Sequence, residues 1–406
     1  MISFTQRNPT YRPRRLQSVV RTSLGQFPTV LVTGPRQSGK TTLLREGLGA
    51  PANYVTFDDP LERDFARNDP NGFLDRFGDE RIILDEIQYV PEILQYLKIR
   101  VDRDRQRNGR FLLTGSQNFS LMANVGESLA GRIAILELLP LGLLETPERV
   151  ADGLAKILWD GSYPEPALAP EKRDLWMRSY LQTYVERDVR QLTNIQDLRA
   201  FETFLLLCAA RHGQELTLAD LARDVGVSQP TLKQWLGVLE AAYIALRLPP
   251  YFENFGKRVV KTHKLFFLDS ALPITLTRQT HAESALAGPM GGAIFEGWVV
   301  SEATKVFTHR GERPELYFWR SHDGLEVDLL ARVGPQLLPI EIKLTSTPNR
   351  RHVETLDRFC RLAGSTAHDR GALVCRVAEP RELPGGHLAL PWHDFPGWLE
   401  EHLADH

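Results

Sequence analysis

Short, wholly apolar runs punctuate the first 140 or so residues, and each is followed by a longer stretch of mixed character. Thr29-Val30-Leu31-Val32, Ile82-Ile83-Leu84, Phe111-Leu112-Leu113 and Ile133-Ala134-Ile135-Leu136 are four of them. A run without polar alternation is what a strand buried on both faces presents, and the stretches between carry helical spacing. The pattern predicts an α/β unit with a largely parallel sheet. From Pro147 to Asn194 it turns helical, with Trp176, Tyr180, Leu181, Tyr184 and Val185 at helix spacing. That stripe reads as the packed side of a helical lid or linker.

Two further patterns lie beyond it. Thr217-Leu218-Ala219-Asp220 has the form of a capping box, Leu218, Leu221 and Val225 supply one apolar face, and Gly226-Val227-Ser228 breaks the helix before Gln229-Pro230-Thr231 starts another. This is a helix-turn-helix pattern. The apolar run Tyr243 to Leu248, a Pro249-Pro250 break and a basic ribbon from Lys257 to Leu268 would make a wing. The second helix would then present Gln229, Thr231, Lys233 and Gln234 to a major groove, with Lys257, Arg258 and Lys261 on phosphates. Such domains also serve as dimerisation or linker modules. Last, an amphipathic stretch from Gly292 to Phe307 precedes two strand patterns, Glu326 to Leu330 and Pro339 to Lys343, joined through Gly334-Pro335.

Length and charge narrow the classes. A chain of 406 residues is too long for one ordinary domain. Its net charge of −2 lacks the basic excess that would by itself announce a nucleic-acid binder, so any DNA contact must be local. No apolar stretch reaches the roughly 18 residues that span a bilayer. The first residues lack the layout of a secretory signal, and Cys208, Cys360 and Cys375 stand in no metal spacing. These features lead us to expect a cytoplasmic protein with no membrane contact.

Chemistry concentrates at the ends of the predicted strands. Gly34-Pro35-Arg36-Gln37-Ser38-Gly39-Lys40-Thr41, between the first apolar run and the helix-like Thr42-Leu43-Leu44, is a complete phosphate-binding loop. Its backbone amides would cradle the phosphates of ATP, Lys40 would reach the outer ones, and the Thr41 hydroxyl would ligate Mg²⁺. Asp85 and Glu86 end the strand of Ile82 to Leu84 in the Walker B pattern. Asp85 would hold Mg²⁺ through water and Glu86 would polarise the attacking water. Beyond Phe111 to Leu113, Ser116 or Asn118 could sense the outermost phosphate. Arg132, just before the strand of Ile133, holds the place of the arginine finger in oligomeric ATPases of the AAA+ kind. In the last third, a hairpin would bring Asp328 beside Glu341, with Lys343 on the same face and Glu296 from the helix. Acid on a helix, aspartate, turn and E-x-K is the set a divalent metal and an activated water need in the phosphodiesterase site of restriction-endonuclease-like folds.

Together these residues resemble a family of bacterial and archaeal AAA+-type ATPases in which a P-loop core is followed by a winged helix and a C-terminal nuclease-like domain. The marks are the loop at 34–41, Leu84-Asp85-Glu86-Ile87-Gln88, Leu113-Thr114-Gly115-Ser116, Leu129-Ala130-Gly131-Arg132, Tyr184-Val185-Glu186-Arg187-Asp188, Lys264-Leu265-Phe266-Phe267-Leu268-Asp269, Phe295-Glu296, Glu326-Val327-Asp328 and Glu341-Ile342-Lys343. The resemblance covers nearly the whole chain. It implies an ATPase core to residue 145, a helical lid or linker at 146–198, a winged helix at 199–280 and a nuclease-like α/β domain at 281–406. It also implies ATP-dependent work on DNA, branched or foreign, by a homo-oligomer such as a hexamer. The C-terminal domain would either cut DNA or bind its structure. A nucleotide-switched regulator whose C-terminal half binds proteins is the competing expectation. A small-molecule kinase is disfavoured, since nothing resembles a phosphoacceptor pocket.

Overall fold

A computed structural model describes residues 11–48, 52–115, 128–185, 197–251, 262–321 and 324–404. Two compact units emerge: one runs to Leu141 and takes in Thr308–Glu312, and the other comprises Gly142–Phe307 with Arg313–His406.

In the first unit, β1 (Thr29–Thr33), β2 (Asn53–Thr56), β3 (Ile82–Asp85), β4 (Phe111–Thr114) and β5 (Ile133–Glu137) form one sheet in the order β2-β3-β4-β1-β5. Every pairing is parallel, as the apolar runs predict. The reason is visible in the side chains. Val30, Val32, Ile83 and Leu112 join the core under helix Leu16–Gln26, while Leu31, Leu84, Phe111 and Leu113 join the core under helix Ile93–Arg103. Neighbouring residues of a strand point to opposite faces, so a sheet with helices on both sides needs apolar residues at every position. All strands point one way, which gathers Thr33, Thr56, Asp85 and Thr114 at one edge of the sheet.

The second unit begins with helices. Tyr163, Met177 and Tyr180 share one core with Phe201, Phe204, Trp235 and Leu236. Trp176 stacks on Tyr180 with ring centroids 4.8 Å apart, the packing role expected of that stripe. Helices Leu218–Val225 and Gln229–Ala241 form the expected pair. Gly226 closes the first in a left-handed conformation (φ 82°), and the Ser228 side chain accepts the Thr231 N–H to open the second. One detail corrects the sequence reading. Thr217 precedes the first helix without a side-chain cap, and Asp220 pairs with Arg223 at 2.9 Å, so no capping box forms. Strands β6 (Gln214–Glu215), β7 (Ala245–Leu248) and β8 (Lys264–Phe267) make an antiparallel sheet in the order β6-β8-β7.

A six-stranded mixed sheet completes the unit. It contains β9 (Leu316–Arg320), β10 (Glu326–Val333), β11 (Gln336–Ile342), β12 (Ala372–Cys375), β13 (Arg381–Glu382) and β14 (Leu388–Pro391), in the order β13-β14-β12-β11-β10-β9. β10 and β11 are the predicted hairpin, with Leu329 opposite Ile340, and β12 adds in parallel to β11. Helices Gly291–His309 and Phe395–Ala404 cover one face and helix Glu354–Ala363 the other. The segment after β7 stitches the two sheets: Tyr251 N–H donates to Phe318 O at 2.7 Å and Phe318 N–H to Pro249 O at 3.0 Å. Among the described residues no helix is long and apolar enough to cross a membrane.

Candidate functional sites

The phosphate loop runs from the end of β1 into helical residues Lys40–Thr42, at the edge where the parallel strands end. Its backbone dictates its glycines. Gly34 has φ 137°, and a Cβ there would run into the Leu138 carbonyl oxygen; Gly39 has φ 94°. Arg14, itself buried, fastens the loop by donating to Ser38 O and Leu139 O, both at 2.6 Å. Pro35 and Ser38 are buried, Arg36 and Gly39 half-buried, and Gln37 and Thr42 exposed.

Lys40 is 5% exposed and donates to Gly34 O at 3.1 Å and Pro35 O at 2.7 Å. Burial lowers its pKa to about 8, against the opposing pull of Glu86 and Asp85. The Thr41 hydroxyl donates to Asp85 Oδ1 at 2.8 Å, and the Thr114 hydroxyl donates to the same oxygen. Tyr54, from β2, donates to Asp85 Oδ2 at 2.8 Å. Glu86 takes a left-handed conformation (φ 58°), its N–H donating to Thr114 Oγ1 at 3.1 Å and its carboxylate accepting from Gln88. The structure thus brings Lys40, Thr41, Asp85 and Glu86 to one place. Ser116, Asn118 and Glu186-Arg187-Asp188 lie outside the described residues.

Arg132 lies elsewhere. It precedes Ile133, which pairs with Thr29 at the start of β1, whereas the phosphate loop begins after Thr33 at its end. The two are separated by the length of the strand, roughly 16 Å. Arg132 pairs with Asp102 at 2.7 and 3.2 Å.

In the second unit, Glu296, Asp328, Glu341 and Lys343 also come together, with Glu326 and Lys264 added. Lys343 Nζ stands 2.8 Å from Asp328 Oδ2 and 2.7 Å from Glu341 Oε1. The Ile342 N–H also donates to Asp328 Oδ2, at 2.8 Å. Lys264 Nζ reaches Glu296 Oε1 at 2.8 Å and Glu326 Oε1 at 2.5 Å. Burial, then the charge of Asp328, pushes Glu296 up to about 7 and Glu341 up to about 8. Burial works against the two lysine charges, but the carboxylates outweigh it and raise both. Glu341 Oε2 is buried without a hydrogen-bond partner. Among the described residues no three such ligands are gathered around one point where a metal ion would sit. The carboxylates are instead paired with ammonium groups.

Lys264 also amends the reading of the basic ribbon. It is 4% exposed and turned inward, while Lys257, Arg258 and Lys261 lie outside the described residues. On helix Gln229–Ala241, Gln229, Lys233 and Gln234 are exposed and Thr231 is half-buried. Sequence reasoning missed Arg14 and Tyr54, and it named Thr114, Lys264 and Glu326 within motifs without reading the contacts they make.

Comparison with known proteins adds the context. An AAA domain matches residues 26–146, and two domains of unknown function, DUF8612 and DUF4143, match 151–283 and 291–395. An uncharacterized protein of Mycobacterium tuberculosis and another of Mycobacterium bovis are each 34% identical over 337 residues, which is 81% of this chain and 73% of the relative. Solved structures overlap more loosely. The Walker-type ATPase of Pyrococcus abyssi is 17% identical, covering 64% of this chain and 94% of its own, with a TM-score of 0.40. The Thermotoga maritima RuvB Holliday junction branch migration motor is 19% identical over 58% of this chain and 89% of its own, at 0.30. The Aeropyrum pernix ORC1 protein in complex with DNA is 15% identical over 68% and 97%, at 0.28. The chain is therefore a P-loop NTPase that hydrolyses ATP with Mg²⁺, and it belongs to the family of the two mycobacterial proteins.

Proposed function

We propose that this ATPase is an oligomer that works on DNA, with residues 34–42 holding the nucleotide. The phosphates replace the Gly34 and Pro35 carbonyls as partners of Lys40, a charge-assisted exchange that favours its ammonium form. Mg²⁺ is a hard cation that takes oxygen ligands, and the Thr41 hydroxyl and Asp85 carboxylate, 2.8 Å apart, fit it. When bound, the ion neutralises charge that builds on the phosphates. Glu86 takes the proton of the attacking water, and Ser116 reads the outermost phosphate. Arg132, too far from its own loop, serves the nucleotide of a neighbouring subunit.

In the second half, residues 199–280 are a winged helix and 281–406 a restriction-endonuclease-like domain, joined to the core through the linker at 146–198. Glu296, Asp328 and Glu341 would hold a divalent metal and Lys343 would orient the water of phosphodiester cleavage. Glu296 and Glu341, both raised by burial, are the groups a cation would deprotonate on binding, and the buried Glu341 Oε2, without a hydrogen-bond partner, is the oxygen that supports a metal there. One observation carries the reading of a DNA-directed machine: β8 belongs to the sheet of the helix pair and delivers Lys264 into the acid cluster. The second reading, DNA held without cutting, is favoured by the lysines that pair the acids.

The test is the steady-state ATPase rate with Mg²⁺, alone and with duplex, single-stranded and four-way-junction DNA, with strand integrity scored in the same tubes. Stimulation by one form identifies the substrate. Cleavage lost in Asp328→Ala adds the nuclease. No stimulation and no binding by any form overturns the proposal in favour of a regulator that binds proteins.

A further inference from the structure

We infer that Tyr54 is a positioning residue for the nucleotide site, fixing the orientation of the Asp85 carboxylate that would hold Mg²⁺. The inference rests on Asp85 as the carboxylate on the Mg²⁺ side. Asp85 Oδ1 accepts from both Thr41 and Thr114, and Oδ2 accepts from Tyr54 at 2.8 Å. The Thr41 hydroxyl could face the ion through a lone pair and still donate to Asp85, but both threonine donors act on Oδ1, and donors on one oxygen alone do not fix a carboxylate against rotation. Donors on both oxygens do. Tyr54 serves Oδ2, and its phenol gives a hydrogen bond without supplying charge.

The ring is itself held. β2 pairs with β3 in a register that sets Tyr54 opposite Ile83 and Thr56 opposite Asp85, so Tyr54 and Asp85 lie on one face of adjacent strands. The phenyl body packs against the core under helix Leu16–Gln26, and the Arg45 guanidinium lies 4.6 Å from its centroid. Arg45 belongs to the helical turn that continues from the phosphate loop. Tyr54 is thus fixed from the loop side and from the strand side at once. Outer partners of this kind typically set metal affinity by about 10–100-fold.

Tyr54→Phe removes the hydroxyl and keeps the ring. Affinity for a fluorescent ADP analogue is measured in EDTA and in Mg²⁺, Mn²⁺ binding to the ADP complex is monitored by electron paramagnetic resonance, and the melting temperature is recorded. Asp85→Asn is run beside it. The expected result is EDTA affinity within about twofold of the parent, with the Mg²⁺-dependent gain and the Mn²⁺ affinity cut by about tenfold or more. An unchanged Mg²⁺ gain, an equal loss with and without the ion, or an unfolded variant each overturns the inference. If Asp85→Asn also keeps its Mg²⁺ gain, the reading of the metal side falls with it. If Asp85→Asn loses the gain and Tyr54→Phe keeps it, only the role of Tyr54 falls.

Discussion

Lys40 is a buried cation resting on two carbonyls of its own loop. Replacing it with alanine is expected to weaken nucleotide binding by about 100-fold, the worth of two charge-assisted contacts, as read by fluorescence titration. Its depressed pKa also has a sign in stability. Between about 8 in the folded protein and 10.5 in the unfolded chain, the unfolded state binds more protons, so this residue makes nucleotide-free stability rise with pH across that window. Lys40→Met should flatten the rise, which thermal melts at stepped pH will show. Glu86→Gln is expected to bind nucleotide normally while its turnover falls by about 10²–10⁴-fold. Undiminished turnover would remove Glu86 from its assigned role. At this scale the features legible in the sequence are those that local order dictates: the loop, the two acids and E-x-K are contiguous words. The contacts of Tyr54, Arg14 and Lys264 stayed hidden, because their partners Asp85, Ser38 and Glu296 are 31, 24 and 32 residues away. Contacts of that range are set by how distant segments pack, through paired strands for Tyr54 and Asp85 and through a helix for Glu296, which no local pattern announces.

Strands of the first sheet were legible because burial on both faces erases polar alternation, and the helix pair because Gly226 and Ser228 mark its turn chemically. The absent capping box shows the weakness of such marks. Asp220 had an arginine one turn away and took it. Ser228→Ala is expected to cost about 1 kcal/mol in urea unfolding, since it frees the Thr231 N–H. The hairpin at Asp328 was readable from its turn and periodicity, but the pairing of Glu296 and Glu326 with Lys264 was not. Because Glu341 is raised, the folded state holds a proton that the unfolded chain sheds between the ordinary 4.5 and about 8, so its contribution to stability is lost as pH rises through that range. Glu341→Gln should therefore lose melting temperature less steeply than the parent across the same window.

For the whole molecule, the distance between Arg132 and its own phosphate loop makes a mixing experiment decisive. Arg132→Ala and Glu86→Gln are each expected to be nearly inactive, the first by about 10³-fold. Mixed, they should recover activity, because an Arg132→Ala subunit keeps Glu86 and receives the arginine of its Glu86→Gln neighbour. Failure to recover would leave Arg132 as a partner of Asp102 alone. The first unit was the more legible because its chemistry sits on consecutive strand ends of one sheet. In the second, the acid cluster draws on helix Gly291–His309 and strands from two sheets.

The backbone bonds between Pro249–Tyr251 and Phe318 carry one more implication. Amides that share a ladder are released to solvent together. Deuterium uptake at Tyr251 and Phe318 should therefore rise in step under rising denaturant, and no partly unfolded form should keep the helix pair while giving up β9. A lesion in either sheet would then be felt as the loss of both.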